Sequence, residues 1–138
     1  MKLPTFLSLA LIATLATSAS AKTYICQVKP DGTNTWDEGV FAFHHDEKSG
    51  EVLVSSGIIL GIEGHPVPAK VTYENDKRIT VKWEMRYINQ EKGLSIPRIL
   101  YRATLYKRTL KIIVSSFAAG YDVRFGGRGK CVVRKPSR

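Results

Sequence analysis

From Ile79 to Tyr87 the chain alternates: Ile79, Val81, Trp83, Met85 and Tyr87 are separated by Thr80, Lys82, Glu84 and Arg86. That period of two is the mark of a strand with one buried face, since successive side chains leave a strand on opposite sides. Tyr101, Ala103 and Leu105 alternate with Arg102, Thr104 and Tyr106 in the same way. Leu110, Ile112 and Val114 begin a third such run that reaches Phe117. Shorter stretches of this kind lie at 23–28, 40–44, 51–55, 69–74 and 129–134, so eight strands are predicted. No helical stripe of useful length and no internal repeat interrupts them.

Two hairpins are set by keeping the apolar positions on one face. A three-residue loop of Asn75, Asp76 and Lys77 pairs Tyr73 with Ile79 and Val71 with Val81, and brings Glu74 opposite Arg78. A two-residue turn at Lys107-Arg108 pairs Leu105 with Leu110, Ala103 with Ile112 and Tyr101 with Val114. Lys-Arg is poor chemistry for a primed turn, so an irregularity is expected there. Three segments break the alternation: 57–68, with the apolar run Ile58-Ile59-Leu60; 87–97, a polar connection; and 117–129, a glycine-punctuated loop. Consecutive short strands joined by turns predict an all-β fold. It is an antiparallel meander of about eight strands curling into a small up-and-down, calycin-like barrel, with a two-sheet β-sandwich as the alternative.

The first 21 residues do not share this pattern. Met1 and Lys2 give a short basic start, Leu3 to Ala16 is apolar, and Ala19-Ser20-Ala21 is a small-x-small cleavage pattern. This is a secretory signal peptide over 1–21, followed by a single barrel-like domain over 22–138. Export to the periplasm or the cell exterior makes the compartment oxidising, and the only two cysteines, Cys26 and Cys131, then form a structural disulfide. After Ala21 no apolar run is long enough for a transmembrane helix.

Charge changes the picture further. Residues 22–96 hold 9 Lys/Arg against 11 Asp/Glu, whereas residues 97–138 hold 11 Lys/Arg against Asp122 alone. A basic balance concentrated in one part of the chain points to an anionic partner facing that part. Tyr121, Arg124, Phe125, Arg128, Lys130 and Arg134 are the candidate binding residues, since arginine beside aromatic rings suits phosphates, carboxylates and anionic sugars. Candidate partners are an anionic lipid, a glycan or an acidic protein; export makes nucleic acid an unsuitable natural partner.

Catalytic signals are absent from the sequence. His44-His45-Asp46-Glu47 has metal-ligand residue types, but adjacent residues on a strand face opposite ways, and His65 is remote; no metal site and no cofactor are predicted. Gly126-Gly127-Arg128-Gly129-Lys130 fails the phosphate-loop spacing, with Arg124 where a glycine is needed and Cys131 where Ser or Thr is needed. The expectation is an exported, non-catalytic binding module that recognises an anionic envelope component or an acidic protein surface through its basic C-terminal part. A lipocalin-like carrier of a small apolar ligand, with Ile58-Ile59-Leu60 as its lid, is the alternative, and an enzyme comes third. Mass measurement of the exported product is expected to give a chain that begins at Lys22, lacking 21 of the 138 residues. A product that retains Met1 contradicts the leader.

Overall fold

The computed structural model describes residues 21–32, 39–89, 94–120 and 124–135. The leader falls outside these except for Ala21, the first residue of the first strand, and Tyr121 also lies outside them. Eight strands follow in order: β1 (Ala21–Pro30), β2 (Gly39–Asp46), β3 (Val52–Ser56), β4 (Val67–Glu74), β5 (Arg78–Asn89), β6 (Leu94–Tyr106), β7 (Lys111–Ala118) and β8 (Arg124–Arg134). Each pairs antiparallel with the next, and β8 returns to pair with β1, closing a barrel in meander order. The up-and-down barrel forms, and the sandwich does not.

The alternation predicted from the sequence fills the inside. Phe41, Phe43, Trp83, Met85 and Tyr101 are all buried within the barrel. Trp83 stacks on Tyr101 with ring centroids 5.1 Å apart, and Phe43 meets the indole edge-on at 5.8 Å. Aromatic pairs in these arrangements contribute about 0.5–1.5 kcal/mol beyond the area they bury.

One segment expected to be irregular is helical. α1 (Gly57–Glu63) follows β3, with Ser56 Oγ accepting from the Ile59 N–H at its start and Gly64 ending it at φ 76°. Seven residues give too short a stripe for a helical period to register in the sequence. Ile59 is 1% exposed and Leu60 is 47% exposed, so the run Ile58-Ile59-Leu60 drives one side chain into the core beside β2 and β3. It is a plug rather than a lid lying over a cavity.

The β4–β5 hairpin keeps Val71 opposite Val81, but a bulge between Val71 and Tyr73 shifts the rest, setting Tyr73 opposite Thr80 and Glu74 opposite Ile79. Tyr73 therefore turns outward, where the Arg78 guanidinium lies 4.7 Å from its ring centroid. Glu74 pairs with Lys107 at 3.3 Å instead of with Arg78. Asn75 accounts for the bulge, because its Oδ1 accepts from both the Lys77 and Arg78 N–H groups and tightens the turn. In the β6–β7 hairpin the register slips by two residues, pairing Leu105 with Ile112, Ala103 with Val114 and Tyr101 with Ser116. A slip of two preserves sidedness. Leu110 supplies the irregularity at φ 56°, its N–H reaching the Tyr106 carbonyl at 2.8 Å.

The loop expected over 117–129 is mostly strand: β7 runs to Ala118, and β8 resumes at Arg124. One of its glycines serves closure. Gly129 sits opposite Val28, and a Cβ there would lie 1.8 Å from the Gln27 carbonyl oxygen. Two residues on, Cys26 and Cys131 are directly opposite each other and joined by a disulfide across a separation of 105 residues. Tying so long a loop stabilises the fold by about 4–5 kcal/mol in the chain-entropy treatment.

Gly129→Ala is expected to cost at least about 2 kcal/mol, since the obstacle is backbone that must move. Removing the disulfide by Cys26→Ala with Cys131→Ala should cost about 2–5 kcal/mol. Thermal or denaturant unfolding measures both, and a Gly129→Ala protein as stable as the parent would contradict the close approach.

Candidate functional site

The alternation that fills the barrel leaves the opposite set of side chains on its outer wall. Register then decides which of these meet. Lys70 of β4 lies opposite Lys82 of β5, Lys82 opposite Arg102 of β6, and Arg102 opposite Ser115 of β7. All four are exposed. Three cations therefore stand in one row across three neighbouring strands with no carboxylate between them. Like charges directly opposite each other destabilise a sheet, so folding alone gives no reason for this row.

A second row runs beside it, two residues along each strand. Glu84 faces Leu100, Leu100 faces Phe117, and Phe117 faces Arg124. Leu100 and Phe117 are half-buried and form an apolar floor. The Arg124 guanidinium lies 5.6 Å from the Phe117 ring centroid, and Glu84 is held by Arg98. The two rows line a groove of about 580 Å³ on the outside of the barrel. That volume is in the range of small-molecule sites.

The β5–β6 hairpin outruns its neighbours at this point. Pairing of β5 with β4 stops at Lys70 and Lys82, and pairing of β6 with β7 starts at Ile99, yet β5 and β6 stay paired out to Asn89 and Leu94. A bulge between Met85 and Tyr87 increases the local twist of this projecting ribbon. The groove lies on the outer face of β4–β8 beside the point where this ribbon leaves its neighbours.

The candidate residues read from the sequence divide. Arg124 lines the groove. Arg128 and Lys130 share the outer wall farther along β8, Arg128 pairing with Asp31 at 3.5 Å and Lys130 standing opposite Lys111. Arg134 lies at the far end of β8 opposite Thr23, away from the groove. Phe125 falls on the other side of the strand, half-buried opposite the buried Ser116, because it alternates with Arg124. Lys70, Lys82, Arg98 and Arg102 complete the groove, and the sequence did not single them out. Lys70 and Lys82 come from the part of the chain with the acidic balance, and only strand pairing carries them to the basic part. The outward placement of Lys82 is legible in the alternation; its partners are not.

The histidines lie elsewhere. His44 is exposed and bonded to Thr23 Oγ1 at 2.9 Å, while His45 is 6% exposed and faces inward. Asp46 caps the β2–β3 turn by accepting from the Lys48 and Ser49 N–H groups, which holds its carboxyl below the usual carboxylate range. Among the described residues no three His, Cys, Asp or Glu side chains converge to hold a metal ion.

At the barrel end remote from α1 is a shallow polar mouth of about 250 Å³, bounded by the ion pairs Lys22–Glu47 at 2.9 Å and Lys107–Glu74 at 3.3 Å. The hydrogen bond to Glu47 raises the Lys22 pKa, and burial pushes the Tyr24 hydroxyl up. Tyr24 and His45 stand between this mouth and an interior void of about 20 Å³. Such a void has room for about one water molecule.

Fold and face together define a disulfide-tied, eight-stranded meander barrel with an aromatic core and a cationic groove on its outer wall. The chain matches no protein family, no curated protein and no solved structure.

Replacing the middle cation of the row should relieve the repulsion. Lys82→Gln is expected to raise stability by about 0.2–1 kcal/mol, read as a higher melting temperature at low salt. A lower melting temperature would mean that Lys82 is held by contacts other than those described.

Proposed function

We propose that this barrel is an exported, non-catalytic binding module that holds an anionic partner against its outer wall, centred on the groove between β4 and β8. The carrying observation is the row Lys70–Lys82–Arg102, three exposed cations in direct register. Such a row costs stability in the free protein and becomes favourable when an anion neutralises it. β6, β7 and β8 add to the same field, as none of them contains an aspartate or glutamate.

Several features support this reading over its rivals. A carrier of an apolar ligand needs a cavity of about 300 Å³ or more, whereas among the described residues the void between Tyr24, Phe43, Ile79 and Ile112 is about 20 Å³. The groove on the outside is large enough and carries the opposite charge to an envelope phosphate, an acidic glycan or an acidic protein surface. The leader pattern at 1–21 and the disulfide support residence in the periplasm or outside the cell. Among the described residues no helix is long and apolar enough to cross a membrane.

Salt tests the proposal. Affinity for a soluble polyanion such as polyphosphate should fall steeply between about 0.01 and about 1 M ionic strength, as the Debye length drops from ~30 to ~3 Å. Charge reversal by Lys82→Glu with Arg102→Glu should remove most of the binding at low salt. Affinity unchanged across that range, or unchanged by the double reversal, would overturn the proposal.

A further inference from the structure

The two rows that line the groove differ in chemistry, and that difference narrows the ligand. Along a strand, positions two apart are about 6.7 Å from one another, so the rows run parallel at roughly that spacing. One row is cationic: Lys70, Lys82 and Arg102, ending at the Ser115 hydroxyl. The other is apolar at its centre, where Leu100 meets Phe117. A purely ionic ligand would use the first row and leave the second wet. A purely apolar ligand would leave the three cations without an anion.

We infer that the groove takes a single phosphorylated lipid, with its phosphate against the Lys70–Lys82–Arg102 row and the start of its acyl chain across Leu100 and Phe117. The inference rests on the anion-binding reading above and names the partner. Phosphate is favoured over carboxylate by charge: three cations meet in one row with no carboxylate among them, and a phosphomonoester brings about 1.5–2 negative charges at neutral pH where a carboxylate brings one. Arg102 offers a planar fork suited to two phosphate oxygens, and the two lysines act as point charges beside it. The concavity points to one molecule held individually. Among the described residues Glu84 is the only carboxylate lining the groove, and its salt bridge with Arg98 keeps it from opposing the phosphate.

More of the outer wall has the same mixed character. Ile113 is 42% exposed and lies opposite Arg128, and Val132 is 56% exposed two residues beyond Lys130. Exposed aliphatic side chains among cations fit the surface of an anionic bilayer, where each basic residue near the headgroups adds attraction and the apolar side chains enter the interface. A lipid held in the groove therefore need not leave its membrane.

The test uses vesicles of phosphatidylcholine with and without phosphatidic acid, together with polyphosphate as an anion that lacks an acyl chain. The full protein is expected to bind the phosphatidic acid vesicles at least about tenfold more tightly than the neutral ones. Lys82→Glu with Arg102→Glu should abolish binding to both vesicles and polyphosphate. Leu100→Gln and, as a second variant, Leu100→Ser should weaken vesicle binding by about threefold or more while leaving polyphosphate affinity unchanged, with circular dichroism melts establishing that each variant is folded. Polyphosphate binding without vesicle binding overturns the lipid and leaves the anion module standing. So does equal loss of the two ligands in a folded Leu100 variant. Failure to bind either ligand overturns both readings.

Discussion

Where β1 passes β8, the Gln27 carbonyl oxygen comes so close to Gly129 that one added carbon would sit 1.8 Å from it. That approach, with the Cys26–Cys131 bridge two residues away, turns a curled sheet into a closed one. Closure removes the sheet edges and gives every strand an inside and an outside. It also divides the labour between the two sets of side chains. Inward positions are spent on Phe41, Phe43, Trp83 and Tyr101, whose contact fills the space that a wider barrel would leave for a ligand. Chemistry directed at a partner is left to the outer wall.

The outer wall then shows what folding does not require. Lys70, Lys82 and Arg102 stand opposite one another although each is free to be any polar residue as far as the core is concerned. At the barrel mouth, by contrast, charges are paired, as in Lys22–Glu47 and Lys107–Glu74. The contrast between paired charges at the barrel mouth and a purely cationic row in the groove separates ordinary solvated surface from the surface proposed to meet a partner. Concavity adds to it, because field lines from several like charges concentrate in a cleft.

Much of the barrel is legible in the amino-acid sequence, because a period of two survives errors of register. All eight strands, the inward aromatic residues other than Tyr73 and the link from first strand to last follow from alternation and from the positions of two cysteines. Register does not follow. Asn75 draws the β4–β5 turn tight and forces a bulge, and Leu110 takes a left-handed conformation that moves β7 by two residues. Neither event changes the count of apolar positions; only the poor turn chemistry of Lys107-Arg108 marks where the second occurs, and not its size. α1 is hidden for a different reason: seven residues cannot display a helical period, and Ser56 with Gly64 are weak signals on their own. The site is half legible. Arg124 and the basic character of the C-terminal strands can be read, whereas Lys70 and Lys82 reach the groove only through pairing between strands.

The central claim is that ligand meets the outside of this barrel and not its interior, and methyl resonances report on the two sides separately. Leu100 and Ile113 carry methyl groups on the outer wall; Val54, Ile112 and Val114 carry them inside. On titration with a short-chain anionic phospholipid, the account predicts progressive shifts at Leu100 and Ile113 with Val54, Ile112 and Val114 unmoved. Shifts confined to the three inward residues would contradict it.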